Sequence, residues 1–242
     1  MQCMREVYID INRPAPSLLE QLKGLGVSTI YEVLGKEMLL DRSIRPVCNG
    51  HSIAGPAVIA VNTPGDYLTM HYGLSLTQPG DVFVITFTES PTLNAVWGGL
   101  ATLSGVGRGI VGVITDGGVR DVKEIKEYNF PVWSKAISAE RSRKERIGGI
   151  NIPATCGGVL IYPGDIIVAD EDGVVVVPID DAEAVLKRGL ERERIEAKMK
   201  ELLLEGKTPF ELFNMKNAFE ENSPLIIEGK YLGKRGDNNA NR

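Results

Sequence analysis

The stretch Ile110-Val-Gly-Val-Ile-Thr-Asp-Gly-Gly-Val-Arg-Asp121 constrains this chain more than any other. It opens as a short β-branched apolar run, Ile110 to Ile114, which reads as a buried strand. Asp116-Gly117-Gly118 is expected to break that strand, because paired glycines permit backbone angles that other residues avoid. Arg120 and Asp121 then stand at the strand's end, just before a helical pattern. In α/β sheets that is where ligands bind. An arginine fork there can hold a carboxylate in two places, and an aspartate can hold a hard divalent cation. The same pair also reads as a capped helix, with Asp121 as the N-cap and Arg120 a solvated neighbour. Spacing leaves both readings open.

The chain's 242 residues suit one domain with arms, since single cores stop growing near ~250 residues. A hydrophobic share of 43% and a charged share of 24% fit a globular, water-soluble protein. A net charge of −5 without a basic stripe argues against nucleic acid as the ligand. Cys3, Cys48 and Cys156 are far apart, no C-x-x-C pair occurs, and His51 and His71 are the only histidines. That disfavours a zinc site or a disulfide framework and fits a reducing cytoplasm. No run of ~18 apolar residues predicts a transmembrane helix or a membrane partner, and the first residues lack a signal-peptide core.

Along the chain, residues 1–14 read as an extended arm and Ser17 to Leu25 as a helix. Thr29 to Glu32 has capping-box spacing and is expected to open a second short helix to Leu34. Ser52 to Val61 and Val82 to Phe87 read as strands, with a helix from Tyr67 to Leu76 between them. Ala95 to Ser104 reads as a small-residue helix entered through Gly98 and Gly99 and ended by Gly105 and Gly107. Val122 to Tyr128 is helical and Phe130 to Ala136 a strand. Ser138 to Gly149, with Arg141, Arg143, Lys144 and Arg146, reads as a mobile loop or a solvated helix. Val159–Tyr162, Ile166–Ala169 and Val174–Val177 are expected to form a meander. Pro-Gly-Asp recurs at 64–66, 79–81 and 163–165, which is turn chemistry. Asp165, Asp170 and Asp172 read as hairpin-tip residues rather than a metal cluster. Asp180 to Leu204 is a long helix with many charges on its middle. Phe210, Leu212, Phe213 and Phe219 predict that part of 205–228 docks, and the end of the chain is expected to be disordered.

No dinucleotide fingerprint, Walker sequence or nucleophile elbow is present. What carries chemistry is the Arg120-Asp121 pair together with the helix start at Gly98-Gly99-Leu100-Ala101. Amides at a helix start bind anions, and glycine lets a ligand approach them. The glycine pair reads equally as close helix packing.

Gly98-Gly-Leu-Ala, then Gly109 to Asp121, then Phe130-Pro-Val-Trp-Ser-Lys-Ala, then Gly157 to Pro178 with its Pro-Gly-Asp…Asp-Gly-Val-Val-Val-Val-Pro, come in the order of one family. Over about residues 25–205 the chain resembles the 4-hydroxy-4-methyl-2-oxoglutarate aldolases and their RraA-like relatives, the regulators of ribonuclease activity A and proteins labelled demethylmenaquinone methyltransferase-like. The resemblance implies a mixed α/β fold: a swivelling β/β/α domain over 1–205 that includes a helical arm (1–50) and ends in a long C-terminal helix, followed by an extension over 206–242. It implies homotrimers or homohexamers with active sites between subunits. Arg120 matches the arginine that holds the keto acid and stabilises the enolate, and Asp121 the ligand of Mg2+ or Mn2+. Backbone at Gly98, Gly99, Leu100 and Ala101 matches the substrate cradle. Lys144 falls where some aldolases use a lysine for the distal carboxylate. Glu196 falls where a neighbouring subunit's helix sends a carboxylate towards the metal's waters. One position departs from the pattern: the aldolases carry an acidic residue where this chain has Gly99. Glu89 and Asp116 are the nearby acids that could replace it. No sequence signature for S-adenosylmethionine accompanies the methyltransferase label.

These readings lead first to a divalent-metal lyase acting on a small 2-keto dicarboxylic acid, by retro-aldol cleavage or by decarboxylation of oxaloacetate, since both leave the same pyruvate enolate. The second expectation is a non-catalytic regulator that binds a ribonuclease, and the third a metal-dependent keto-acid sensor.

Overall fold

The structure, a computed structural model, describes residues 5–35 and 37–230. The first four residues, Cys3 among them, and the expected disordered end beyond Lys230 lie outside these. The chain divides into two compact units, Met1–Glu193 and Arg194–Arg242. The first runs α1 (Pro16–Leu34), β1 (Arg45–Pro46), β2 (Ile53–Asn62), α2 (Leu68–Leu76), β3 (Val82–Phe87), β4 (Ala95–Trp97), α3 (Gly99–Arg108), β5 (Gly112–Val119), α4 (Val122–Glu127), β6 (Val132–Ile137), β7 (Gly149–Ile150), β8 (Ala154–Cys156), β9 (Val159–Ile161), β10 (Ile166–Ala169), β11 (Val174–Val177) and most of α5 (Ala182–Leu204).

The large sheet has the order β1-β6-β5-β3-β2-β10-β11, with β4 added on β5 and β7 on β2. Its centre, β2-β3-β5-β6, is parallel, and β3 and β5 are buried at every position. That fits the apolar runs Val82–Ile85 and Val113–Ile114, because a parallel sheet is covered on both faces; Thr86, Thr115 and Asp116 are the polar residues buried within these two strands. Alternation still sorts the side chains. Ala57, Ile59, Val84 and Ile114 face one core, which the β8-β9 hairpin closes with Cys156 and Ile161. Val58, Phe83, Val113 and Val119 face a second, closed by Met70 of α2, Trp97 and Ile125 of α4. A third core packs α1 and α5 on β10 and β11 through Leu22, Ile30, Val168 and Val185. This is the mixed α/β, swivelling β/β/α architecture expected, with the long helix at its C-terminal side.

Several local expectations are corrected. Asp116-Gly117-Gly118 does not break the central strand. β5 continues through it to Val119, with a bulge where the four residues from Thr115 to Gly118 lie opposite three of β6, Ser134 to Ala136. Its glycines serve close packing: a Cβ on Gly118 would lie 2.2 Å from the Leu93 carbonyl oxygen. Residues 95–97 form a strand, not the start of a helix, and α3 runs past Gly105 and Gly107 to stop at Gly109, whose φ is +73°. The second half of α1 begins after a break at Gly26 rather than at Thr29. The Val27 amide there donates to the Asp170 carboxylate at 2.8 Å, a tertiary cap that replaces the local one. The meander is two hairpins, since β9 pairs with β8 and β10 with β2 and β11. Residues 138–148 hold no helix. They are extended and pinned, with Asp66 accepting from the Glu145 and Arg146 amides at 2.8 and 3.1 Å.

All three Pro-Gly-Asp turns place glycine at positive φ, +72°, +91° and +91° at Gly65, Gly80 and Gly164. Their aspartates are buried and each accepts a nearby amide: Leu68 on Asp66, Gln78 on Asp81 and Tyr162 on Asp165. Asp81 also takes a two-pronged contact from Arg13, 2.9 Å at each nitrogen. In the second unit, α6 (Pro209–Leu212) opens with a Thr208–Glu211 capping box, and α7 is Lys216–Glu221. Neither helix buries a residue. Phe210 meets Phe219 edge-on with ring centres 5.7 Å apart.

Two predictions follow from this packing. Gly118→Ala is expected to lower the free energy of unfolding in urea by about 1–3 kcal/mol, the usual cost of overpacking. Burial raises the pKa of Asp116, against hydrogen bonds from the Gly157 amide and Thr86. The unfolded carboxyl therefore ionises first, so this group's stabilising contribution is present below the ordinary aspartate pKa and fades as pH rises through the raised one. Urea titrations from pH 4 to 8 should show wild type losing stability relative to Asp116→Asn as pH rises; parallel profiles would contradict this.

Candidate active site

A cavity of about 230 Å³ opens at the carboxyl ends of β4 and β5, against the start of α3. β5 delivers Arg120 and Asp121 there, and the Arg120 amide donates to the Trp97 carbonyl at 3.0 Å, which ties the two strand ends together. Asp121 does not cap its own helix. It has no capping hydrogen bond on α4 and sits at φ 56°, ψ 38°, a left-handed conformation that costs a non-glycine residue about 1–2 kcal/mol. Its Oδ2 instead accepts the Gly99 amide at 3.1 Å and lies 3.5 Å from Arg120 Nε. The carboxylate thus sits on the N-terminus of α3, where helix amides and dipole favour negative charge. Of the two readings the sequence left open, the local cap is set aside. Both side chains are about two-fifths exposed, 42% and 39%.

The glycines at the start of α3 are space. A Cβ on Gly98 would lie 2.6 Å from Asp121 Oδ2, and one on Gly99 would lie 2.0 Å from Glu124 Oε2. The carboxylate of Glu124, in the first turn of α4, therefore occupies the volume that a side chain at 99 would need. Leu100 and Ala101 line the cavity with Gly98, and their amides belong to the first helical turn, which has no internal acceptors for them.

The opposite wall comes from the pinned loop. The Ala95 amide donates to the Glu140 carbonyl at 2.7 Å, and Tyr67 to that of Arg143 at 3.0 Å. Ser142 Oγ donates to the Ala95 carbonyl at 3.1 Å. These bonds bring Arg141 and Lys144 onto the cavity, with Lys144 Nζ 5.4 Å from the centre of the Tyr67 ring. His71 lines it too; partial burial, and then Lys144, lower its pKa, which keeps the imidazole neutral at pH 7. The lining carries three cations, Arg120, Arg141 and Lys144, against two carboxylates, Asp121 and Glu124.

The structure therefore gathers Gly98, Leu100, Ala101, Arg120, Asp121 and Lys144 in one cavity, with the Gly99 amide beside them. Glu196 belongs to the second unit. Glu89 and Asp116, the acids proposed to replace one at 99, line a different cavity of about 460 Å³ beneath the β8-β9 hairpin. Asp116 is buried there and bonded to Thr86 and Gly157. Glu124 was not singled out in the sequence, although it follows Asp121 at the i+3 spacing that shares a helix face. Arg141 had no signal, because a loop set by long-range hydrogen bonds has no period.

Asp121 and Glu124 supply only oxygen donors, which fits a hard divalent ion such as Mg2+ or Mn2+ and not zinc. Among the described residues no group of three or more His, Cys, Asp or Glu is arranged around one point. Two carboxylates suit an ion that keeps much of its own water.

Comparison with known proteins matches residues 27–176 to the RraA-like family model, described as Aldolase/RraA. A relative from Halalkalibacterium halodurans, named "Putative 4-hydroxy-4-methyl-2-oxoglutarate aldolase", is 33% identical over 175 residues, covering 72% of this chain and 83% of the relative. Streptomyces coelicolor RraAS2, titled an unusual member of the RNase ES inhibitor RraA protein family, superposes with a TM-score of 0.71 at 26% identity, over 79% of this chain and 99% of that one. The RNA-processing inhibitor RraA from Thermus thermophilus does so with a TM-score of 0.57 at 25% identity, over 63% and 93%.

Asp121→Asn is expected to leave thermal stability nearly unchanged, because asparagine tolerates the left-handed backbone and its amide oxygen can accept from Gly99. Asp121→Val should be about 2 kcal/mol or more less stable than Asp121→Asn, from backbone strain and an unmet amide. Chemical denaturation of the two variants checks the difference.

Proposed function

The chain belongs to the RraA-like family, and on that premise we propose that it is a divalent-metal-dependent lyase cleaving a small 2-keto dicarboxylic acid to pyruvate. The reaction is retro-aldol cleavage of a 4-hydroxy-4-methyl-2-oxoglutarate-type substrate, decarboxylation of oxaloacetate, or both. The observation that carries this reading is the joint presence of Arg120 and Asp121 in one cavity over the start of α3.

Arg120 and the first-turn amides of Leu100 and Ala101 bind the substrate's carboxylate and keto oxygen. As the C–C bond breaks, negative charge grows on that oxygen, and a guanidinium already in place stabilises it without reorganisation. Asp121 would hold the metal, and through Arg120 Nε and the Gly99 amide it fixes the position of the guanidinium and of the helix start. Mg2+ or Mn2+, when bound, supplies Lewis-acid polarisation of the keto group. Lys144 and Arg141 take the distal carboxylate. The excess of cations over carboxylates in the lining suits a dianionic substrate. As the resemblance implies, the working form is a homotrimer or homohexamer in which Glu196 of a neighbouring copy reaches the metal's side of the site.

A second reading, a non-catalytic regulator of a ribonuclease, draws on the names of the Streptomyces and Thermus structures and on Gly99. It leaves the pairing of Arg120 with Asp121 without a task.

Pyruvate release from oxaloacetate and from 4-hydroxy-4-methyl-2-oxoglutarate, measured with Mg2+ and with chelator, decides between them. Turnover should require the metal, and Arg120→Ala and Asp121→Ala should each lower kcat/KM by about 100-fold or more. Lys144→Met should act mainly on KM. No turnover by wild type, together with a tight nuclease complex insensitive to chelator, would establish the regulator.

A further inference from the structure

Glu124 and Gly99 form an arrangement that packing alone does not require. The carboxylate of Glu124 fills the side-chain space of position 99 so closely that an added Cβ would lie 2.0 Å from Oε2 and 2.6 Å from Cδ. The three closest contacts of that Cβ are all atoms of the Glu124 side chain, so a residue larger than glycine at 99 would displace this carboxylate. Glu124 and Asp121 both line the cavity with Arg120. Among the described residues, the Glu124 carboxylate has no hydrogen-bond or ion-pair partner. Asp121, by contrast, is engaged on Oδ2 by both Gly99 and Arg120.

We propose that Glu124 is the second carboxylate that holds the site's divalent cation, reaching from α4 over Gly99, and that Gly99 is the space that lets it do so. The inference rests on the lyase reading above. Its physical basis is local charge and ligand number. Arg120 beside Asp121 leaves that pair neutral, and a neutral pair attracts a divalent ion weakly. Glu124 restores a net negative charge on this side of the cavity and adds a hard oxygen ligand. The chain thus presents its second acid from the third residue of α4 rather than from the first residue of α3. Because α3 and α4 both begin at the lip where β4 and β5 end, the two origins converge on the same volume. The alternative role for Glu124 is to favour the N-terminus of α4 as a first-turn acid, which would leave cation binding untouched.

The test is Mn2+ binding to the full chain by electron paramagnetic resonance and calorimetry, with unfolding measured separately in the absence of metal. Wild type should bind Mn2+, and Asp121→Ala should not. Glu124→Gln should weaken binding about tenfold or more with its metal-free stability unchanged. Gly99→Ala leaves both acids in the chain but displaces the Glu124 carboxylate, and should weaken binding comparably. Gly99→Asp combined with Glu124→Ala moves the acid to the other helix and should restore Mn2+ affinity to within a few-fold of wild type. Wild-type affinity in both Glu124→Gln and Gly99→Ala would overturn the inference while leaving the lyase reading intact. Failure of wild type itself to bind Mn2+ would overturn both.

Discussion

The site depends on one hydrogen bond, from the Gly99 amide to the Asp121 carboxylate. It joins the end of β5, the beginning of α3 and the beginning of α4 at a single point. Asp121 is held there in a left-handed backbone conformation, which a non-glycine residue adopts only when its surroundings fix it. What fixes it is the unmet donor and positive dipole end of α3, together with the Arg120 guanidinium alongside. The strain is local, and its consequence is that a cation and an anion from consecutive residues both open on the same cavity.

Around that point the chain uses absence of side chains as a structural element. Gly98 admits the Asp121 carboxylate, Gly99 admits that of Glu124, and Gly118 admits the Leu93 carbonyl. At Gly98 and Gly99 the missing side chain makes room for a carboxylate that lines the cavity, and at Gly118 for a neighbouring backbone carbonyl. The facing wall is built differently. Asp66, buried in a Pro-Gly-Asp turn, accepts two amides of the 138–148 loop and so holds Arg141 and Lys144 opposite Arg120. One wall is set by close packing and the other by a carboxylate acting as a backbone clamp.

The two aspartates of the central stretch, five residues apart, have opposite fates. Asp116 is within β5, buried, and bonded to Thr86 and the Gly157 amide beneath the β8-β9 hairpin. Asp121 lies past the strand's end and faces α3. Their separation explains why Asp116 cannot serve in place of an acid at 99, however close it stands in sequence.

The sequence by itself determined the buried central strands and the position of the lip. Apolar runs such as Val82–Ile85 are buried on both faces, and a fully buried strand has few alternatives. Pro-Gly-Asp determined its turns locally, because proline presets φ and glycine accepts the positive φ the turn requires. Arg120 and Asp121 were legible as a pair because they follow a strand end. The tertiary structure alone decided the rest. The Asp116-Gly117-Gly118 segment remains a strand because β4 and β6 pair with it, although its composition suggests a turn. Asp121 caps a helix other than its own, and α1 restarts where the carboxylate of Asp170, 143 residues away in sequence, meets the Val27 amide. Glu124 reaches position 99 because α3 and α4 begin side by side. Local periodicity reports which face a residue takes, but not which distant backbone will meet it there, and the chemistry of this site lies at such meetings.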